Sequence, residues 1–171
     1  HDIGASVKRL EIGSSLNTVE LLHISSLLTA AARVKNYYED TTDSLTGYFH
    51  ALEPLTPLNT EIKRCILSED EISDDASANL RSIRRQKVLA AERIHTELNK
   101  MLNSSSVRNC LQDFVITSRS GRYCLPVKAK YKSQVPGMVH DQSATGSTLF
   151  IEPAAVVKLN NDIRELELKE Q

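Results

Sequence analysis

VHDQSATGSTLFIEP, residues 139–153, decides how the rest of the chain is read. It gathers His140, Asp141, Gln142, Ser143 and Thr145 around Gly146, runs into apolar Leu149-Phe150-Ile151, and stops at Glu152-Pro153. A polar, glycine-containing run beside strand formers describes two strands joined by a turn. His140, Asp141 and Ser143 also name the members of a hydrolytic triad. In an extended strand, however, His140 and Asp141 would point to opposite faces, whereas a triad needs one imidazole to touch both partners. No G-x-S-x-G elbow is present. The expectation is therefore structural. Asp141 and Ser143 hold the turn through side-chain to backbone bonds, Gly146 takes a special dihedral, and His140 is a hydrogen-bonding core or edge residue.

Working outward, strands are expected at about 135–141 and 147–152, joined by the loop from Gln142 to Gly146. Upstream, Phe114-Val115-Ile116-Thr117 and Arg122-Tyr123-Cys124-Leu125 are rich in strand formers. Ser120-Gly121 lies between them as a two-residue hairpin loop. Pro126 predicts that the second of these strands lies at an edge or ends there. Downstream, Glu152-Pro153 is expected to start a helix with Val156, Val157, Leu159, Ile163 and Leu166 as its apolar face.

The first part of the chain reads as helices. Asn17 and Glu20 have capping-box spacing, ahead of a helical stripe over about 18–39 that ends in Glu39-Asp40-Thr41-Thr42-Asp43. A short helix over 44–52 precedes Pro54. Thr56-Pro57 caps another over 58–66, with Leu58, Ile62, Cys65 and Ile66 on one face. Residues 68–79, SEDEISDDASAN, lack the glycine and ligand spacing of a calcium loop and read as a solvated loop with Asp75 or Ser77 as N-cap. Leu80, Ile83, Ala90 or Ala91, Ile94, Leu98 and Met101 or Leu102 then mark one long helix over 78–103, roughly 40 Å at the helical rise. Its Arg81, Arg84, Arg85, Lys87 and Arg93 read as a solvated face partnered by Glu92 and Glu97. The fold class is mostly α with a small antiparallel β insert (α+β). Residues 1–113 form a helical region, 114–153 a small sheet, and 154–171 the start of a further helix.

Composition excludes several functions. Charge is nearly balanced, at −1 over 171 residues, and so points to no particular partner. Cys65, Cys110 and Cys124 are odd in number and widely spaced, which suggests no disulfide framework or zinc site and fits a cytoplasmic protein. No run is apolar enough to span a bilayer. No histidine sits at ligand spacing from another, and neither the phosphate-loop nor the dinucleotide glycine pattern occurs. No catalytic, cofactor or metal site is therefore assigned to these residues. The chain opens on His1 and closes on Lys169-Glu170-Gln171 within a helical pattern, which predicts a piece of a longer protein.

One charged feature stands apart. Between Asp113 and Asp141 there is no acidic residue, while Arg119, Arg122, Lys128, Lys130 and Lys132 are present with Tyr123 and Tyr131 interleaved. If extended, the segment would put the three lysines on one face, suited to phosphates and stacked bases. The alternative is an edge strand that lysines protect from aggregation.

DDASANLRSIRR at 74–85, IGSSLNTVELLHISSLL at 12–28 and RYCLPVKAKYKSQVPGMVHDQSATGSTLFIEPAAVVKLNNDIRELELKE at 122–170 resemble the second bacterial branch of MutS-like proteins over nearly the whole chain. The resemblance implies a core and lever segment of a larger homodimer. That parent would use ATP with magnesium in a separate ATPase domain, carry an inserted clamp, and often end in an endonuclease domain. Implied partners are DNA, as branched or recombination intermediates, or collided ribosomes and their rRNA. In this frame His140, Asp141, Ser143, Gly146, Glu152 and Pro153 form a structural joint from which the clamp arm leaves.

Overall fold

The computed structural model describes residues 2–37, 44 and 46–171. It is mostly helical with small antiparallel sheets, the α+β class read from the patterning. Two compact units divide it, residues 1–81 and 82–171.

The first unit opens with a helix the sequence reading did not register, α1 (Gly4–Glu11). It is short, and its Val7 and Leu10 stay exposed, so it leaves little apolar periodicity to read. Helix α2 (Thr18–Tyr37) starts where the capping box puts it. Asn17 Oδ1 accepts from the Glu20 amide at 2.9 Å, and Glu20 Oε2 accepts from the Asn17 amide at 2.9 Å. The polar run expected to end this helix, Glu39 to Asp43, lies outside the described residues. Helix α3 (Thr46–His50) leads to α4 (Thr56–Cys65). Thr56 belongs to that helix, and Leu55 holds the cap position at φ 43°.

Helix α4 packs on α2 through a different face from the one expected. Ile62 and Ile66 are buried, but Leu58 is exposed and Asn59 is buried instead. Ser25 Oγ donates to Asn59 Oδ1 at 2.6 Å, and Asn59 Nδ2 donates to Thr29 at 3.0 Å, so the buried amide is satisfied. The acidic stretch is also less irregular than expected. Strands β1 (Ile66–Ser68) and β2 (Glu71–Ile72) pair antiparallel, at lengths too short for alternation to reveal them. Ser77, rather than Asp75, caps the next helix by accepting from the Leu80 amide at 3.0 Å.

Helix α5 (Ala78–Asn103) is the long helix foreseen. Its arginines find partners other than those expected: Arg81 pairs with Asp75, while Arg84 and Lys87 converge on Glu170. In the second unit α5 is followed by α6 (Ser105–Arg108) and by strands β3 (Thr117–Arg119), β4 (Arg122–Lys128), β5 (Gly137–Gln142) and β6 (Thr148–Pro153). They form one antiparallel sheet in the order β3-β4-β6-β5. A turn of 3-10 helix over Ala154–Val156 then leads into α7 (Val157–Glu170), so Glu152 and Pro153 end a strand rather than open the helix directly. Ala90, Ile94 and Leu98 of α5 join Leu125, Val127, Ile151, Val156 and Ile163 in the core. Each valine, leucine or isoleucine side chain among them stabilises by about 1.5–3 kcal/mol when fully buried.

Three sheet details depart from expectation. Phe114 and Val115 are exposed and precede the strand, which begins at Thr117. Pro126 neither ends β4 nor lies at an edge of the sheet. Strand β3 stops pairing at Thr117 opposite Cys124, and residues 110–112 take over that flank, where the Gln112 amide donates to the Pro126 carbonyl at 2.9 Å. In an antiparallel pair a residue's nitrogen lies on the same side as its carbonyl, so the Pro126 nitrogen faces residues 110–112 rather than β6, and no β4–β6 ladder bond is lost. The chain also leaves the extended conformation after Lys128 and coils into 3-10 turns over Ala129–Gln134. Strand alternation therefore does not put Lys128, Lys130 and Lys132 on one face. The hairpin at 120–121 forms as read, with φ 51° at Ser120 and 71° at Gly121.

Gly137 is a close-approach position: a Cβ there would stand 2.1 Å from the Glu152 carbonyl oxygen. Gly137→Ala is expected to destabilise the chain by about 2 kcal/mol or more, because backbone rather than a flexible side chain must yield. Urea denaturation checks this. An unchanged midpoint would mean that β5 can shift freely against β6.

Candidate functional site

The residues around the 139–153 stretch assemble on one buried carboxylate. Strand β6 carries Glu152 into the sheet with none of its side chain exposed. Its Oε1 accepts from Arg122 Nη2 at 2.5 Å and Asn160 Nδ2 at 3.0 Å. Its Oε2 accepts from Arg122 Nε at 3.1 Å and meets His140 Nε2 at 2.5 Å. A carboxylate only accepts, so His140 carries its proton on Nε2. Burial alone would raise the Glu152 pKa. The hydrogen bonds from Arg122 and His140, the Arg122 charge and the Asn160 amide outweigh it, and the carboxyl is held below its ordinary 4.5.

Helix α7 is tied to the same point. Besides meeting Glu152, Asn160 accepts from the Tyr123 amide at 3.1 Å, and Asn161 accepts from Arg122 Nη1 at 2.8 Å. Neither asparagine was singled out from the sequence. The signal was present, because Asn160 lies four residues after Val156 and three before Ile163 and so falls on the apolar stripe. A polar residue at such a position needs a buried partner. Cys124 lies in the same region, where burial and then the Glu152 charge push its thiol up to about 11. That keeps it a protonated, weakly nucleophilic group.

His140 and Asp141 do not alternate across the strand as expected. Val139 pairs with Ile151 and Asp141 with Phe150, which leaves His140 as the extra residue of a β-bulge. Both side chains then serve one face. His140 meets Glu152, while Asp141 pairs with Arg119 at 3.2 Å, and Arg119 is the cross-strand partner of Arg122. His140 turns to Glu152 rather than to Asp141 or Ser143. Ser143 closes the turn: its Oγ accepts from the Thr148 amide at 3.1 Å, and its carbonyl accepts from the Gly146 amide at 2.8 Å. Gly146 takes φ 70°. Pro153, buried at the end of β6, pairs with Gly137.

The basic segment separates into two sets. Arg122 is spent on Glu152 and Asn161. Arg119 lies 3.9 Å over the Phe150 ring besides pairing with Asp141. Lys128, at the end of β4, is half-buried, and Lys130 and Lys132 are exposed on the 3-10 turns. Among the described residues no group of three or more His, Cys, Asp or Glu is arranged to hold a metal. Among those residues, too, no helix is long and apolar enough to cross a membrane.

The fold and this joint define a helical scaffold of the α+β class in which an outgoing helix is anchored to a small sheet. No protein-family model matches the chain. It is 69% identical over 169 residues to the endonuclease MutS2 of Lachnospira eligens, covering 99% of this chain and 22% of that protein. It is 57% identical over 176 residues to the endonuclease MutS2 of Agathobacter rectalis, covering 100% of this chain and 22% of that protein. The same-named protein of Lachnoclostridium phytofermentans is 54% identical over 180 residues, covering 99% of this chain and 23% of that protein. The chain belongs to the MutS2 branch of MutS-like proteins and spans a little over a fifth of the length of these curated relatives.

Replacing Glu152 strands the Arg122 charge in the sheet. Glu152→Gln is expected to cost about 3 kcal/mol at neutral pH, the low end for a broken buried pair because Arg122 retains some solvent contact. Since folding lowers the Glu152 pKa, its contribution is fully present above the unfolded value near 4.5 and is lost as pH falls through the folded value. Urea melts between pH 7 and 3 should therefore fall less steeply for Glu152→Gln than for the wild type. Parallel curves would contradict the assignment.

Proposed function

We propose that the chain is the core and lever of a larger MutS-like protein that acts on nucleic acid with ATP, and that it passes motion between the ATPase and a clamp without catalysing a step. The observation that carries this reading is the Glu152 joint, in which one carboxylate ties β4, β5, β6 and α7 together. A helix fixed this way to a sheet can turn only if the sheet turns with it, and that is the property a lever requires. In this proposal residues 114–153 are the joint and 154–171 the start of the clamp arm. ATP and magnesium are held elsewhere in the full-length protein, which works as a cytoplasmic homodimer. Its partners are branched DNA or recombination intermediates, or the rRNA of stalled ribosomes. The endonuclease activity in the relatives' names is proposed for the whole protein as a hydrolase.

A second reading, direct nucleic-acid contact within residues 119–132, is favoured by the acid-free run that carries the three lysines.

The lever reading is tested with Asn160→Ala and Asn161→Ala together in the full-length protein, which removes the side-chain hydrogen bonds of α7 to Glu152, Tyr123 and Arg122 while leaving the Glu152–Arg122 pair in place. The expected result is unchanged basal ATP turnover, with nucleic-acid stimulation of that turnover lost by tenfold or so, on the order of 1.4 kcal/mol of coupling. Full stimulation in this variant would remove the joint from the transmission path.

A further inference from the structure

Helix α7 is held at a second place, and that place is built differently from the Glu152 joint. The helix runs back along α5: Ile163 lines a shallow depression with Ala91, and further along α7 Glu170 reaches Lys87 and Arg84. Residue numbers fall along α5 as they rise along α7, so the two helices are antiparallel. Arg84 Nε donates to Glu170 Oε1 at 2.8 Å, and Lys87 Nζ donates to Oε2 at 2.5 Å. One carboxylate is thus shared by two cations of the neighbouring helix.

Apolar packing fades before this point. Ile163 and Leu166 are buried, but none of residues 167–170 is, and Leu168 is exposed. Val88 and Leu89 of α5 are exposed as well. A depression of about 250 Å³ with Lys87, Arg164, Glu167 and Glu170 among its walls opens beside the ion pairs. On the other flank a groove of about 300 Å³ has Gln86, Arg93, Asp162 and Lys169 among its walls. Water therefore reaches the far half of the α5–α7 seam from both sides.

The two anchors answer differently to salt. Glu152 has no exposed side-chain surface, whereas Glu170, Arg84 and Lys87 keep 23%, 29% and 29% of theirs. Ions screen charge pairs that water can reach and screen buried pairs much less. Pairs that water reaches also hold less strongly than a buried carboxylate whose partners are all in place. The Glu170 contact is the weaker anchor and gives way first.

We propose that Glu170 is a releasable latch. It holds the far end of α7 on α5, opens while the Glu152 joint stays closed, and lets α7 hinge about its sheet end. As part of the lever this rests on the proposed function above; as a property of α7 it does not depend on that reading.

The test uses the full-length protein and hydrogen exchange read by mass spectrometry along α7, at about 50 and about 500 mM salt. In the wild type the amides of residues 167–170 should exchange about fivefold faster at high salt, while those of 160–163 hold steady. Glu170→Gln should exchange fast at low salt and respond little to more. Lys87→Gln should lie between, because Arg84 still holds the carboxylate. Adding Lys87→Gln to Glu170→Gln should change nothing further, since both act through one contact. Glu165→Gln removes an exposed carboxylate of the same helix and should track the wild type. Salt-insensitive exchange in the wild type, or additive effects in the double variant, would overturn the latch. Loosening of 160–163 together with 167–170 would overturn the hinge, because α7 would then leave as one piece.

The same variants separate the latch from the lever. Glu170→Gln should leave basal ATP turnover unchanged and weaken its stimulation by nucleic acid about fivefold, because a hinged arm bends where a fixed one transmits. If exchange behaves as expected but stimulation stays full, the latch stands and its part in transmission is overturned. Only full stimulation in the paired asparagine variant as well would count against the lever reading itself.

Discussion

Glu152 is a carboxylate with no exposed surface, and much of the sheet's construction follows from keeping it charged. An ionised group withdrawn from water costs several kcal/mol unless every lone pair it presents is met. Here Arg122, His140 and Asn160 together make four contacts to its two oxygens. These donors come from β4, β5 and α7, so satisfying one charge fixes the relation of three elements to the strand that bears it. The apolar core beside it supplies the bulk of the stabilisation, but apolar packing is tolerant of small shifts. A bidentate arginine and a short imidazole contact are not, because hydrogen bonds weaken steeply with misalignment.

The same demand explains two backbone features of β5. The bulge at His140 adds one residue between Val139 and Asp141, and the imidazole meets Glu152. At the other end of the strand, Gly137 lets β5 lie against the Glu152 carbonyl with no room for a Cβ. Backbone and side chain of one residue thus constrain the edge strand from both ends. The basic segment is divided by the same geometry. Arg122 is drawn inward by Glu152, Arg119 is held over Phe150 by Asp141, and the lysines beyond the end of β4 are left to solvent.

Much of the fold was legible because its signals are local. The capping box at Asn17 and Glu20 places a helix start to the residue, and the stripe from Ile83 to Leu98 places α5. The positive φ angles at 120 and 121 answer to a Ser-Gly pair. Missed elements were short or lacked periodicity: α1 with its exposed apolar residues, the β1–β2 hairpin, and the 3-10 turns after Lys128. Of the site, the sequence singled out His140, Asp141 and Glu152 through their place in an unusual run. It overlooked Asn160, whose polar side chain on an apolar stripe was the one local hint.

By itself the sequence determined where the helices lie, that a small antiparallel sheet interrupts them, which turn joins its last two strands, and the branch of proteins the chain resembles. The elements and the turn follow from hydrophobic period, caps and turn residues, all of which act over a few positions, and the branch from the likeness of whole stretches such as residues 139–153 to that family. Only the tertiary structure decided that His140 and Asp141 serve one face, that Pro126 sits within a central strand, and that arginines and lysines of one basic run face different surroundings. Each depends on a partner far along the chain: Ile151 and Phe150 for the bulge, Gln112 for the proline, Glu152 for Arg122. A buried charge finds its complement through space rather than along the sequence, and the joint became visible only when the strands were paired.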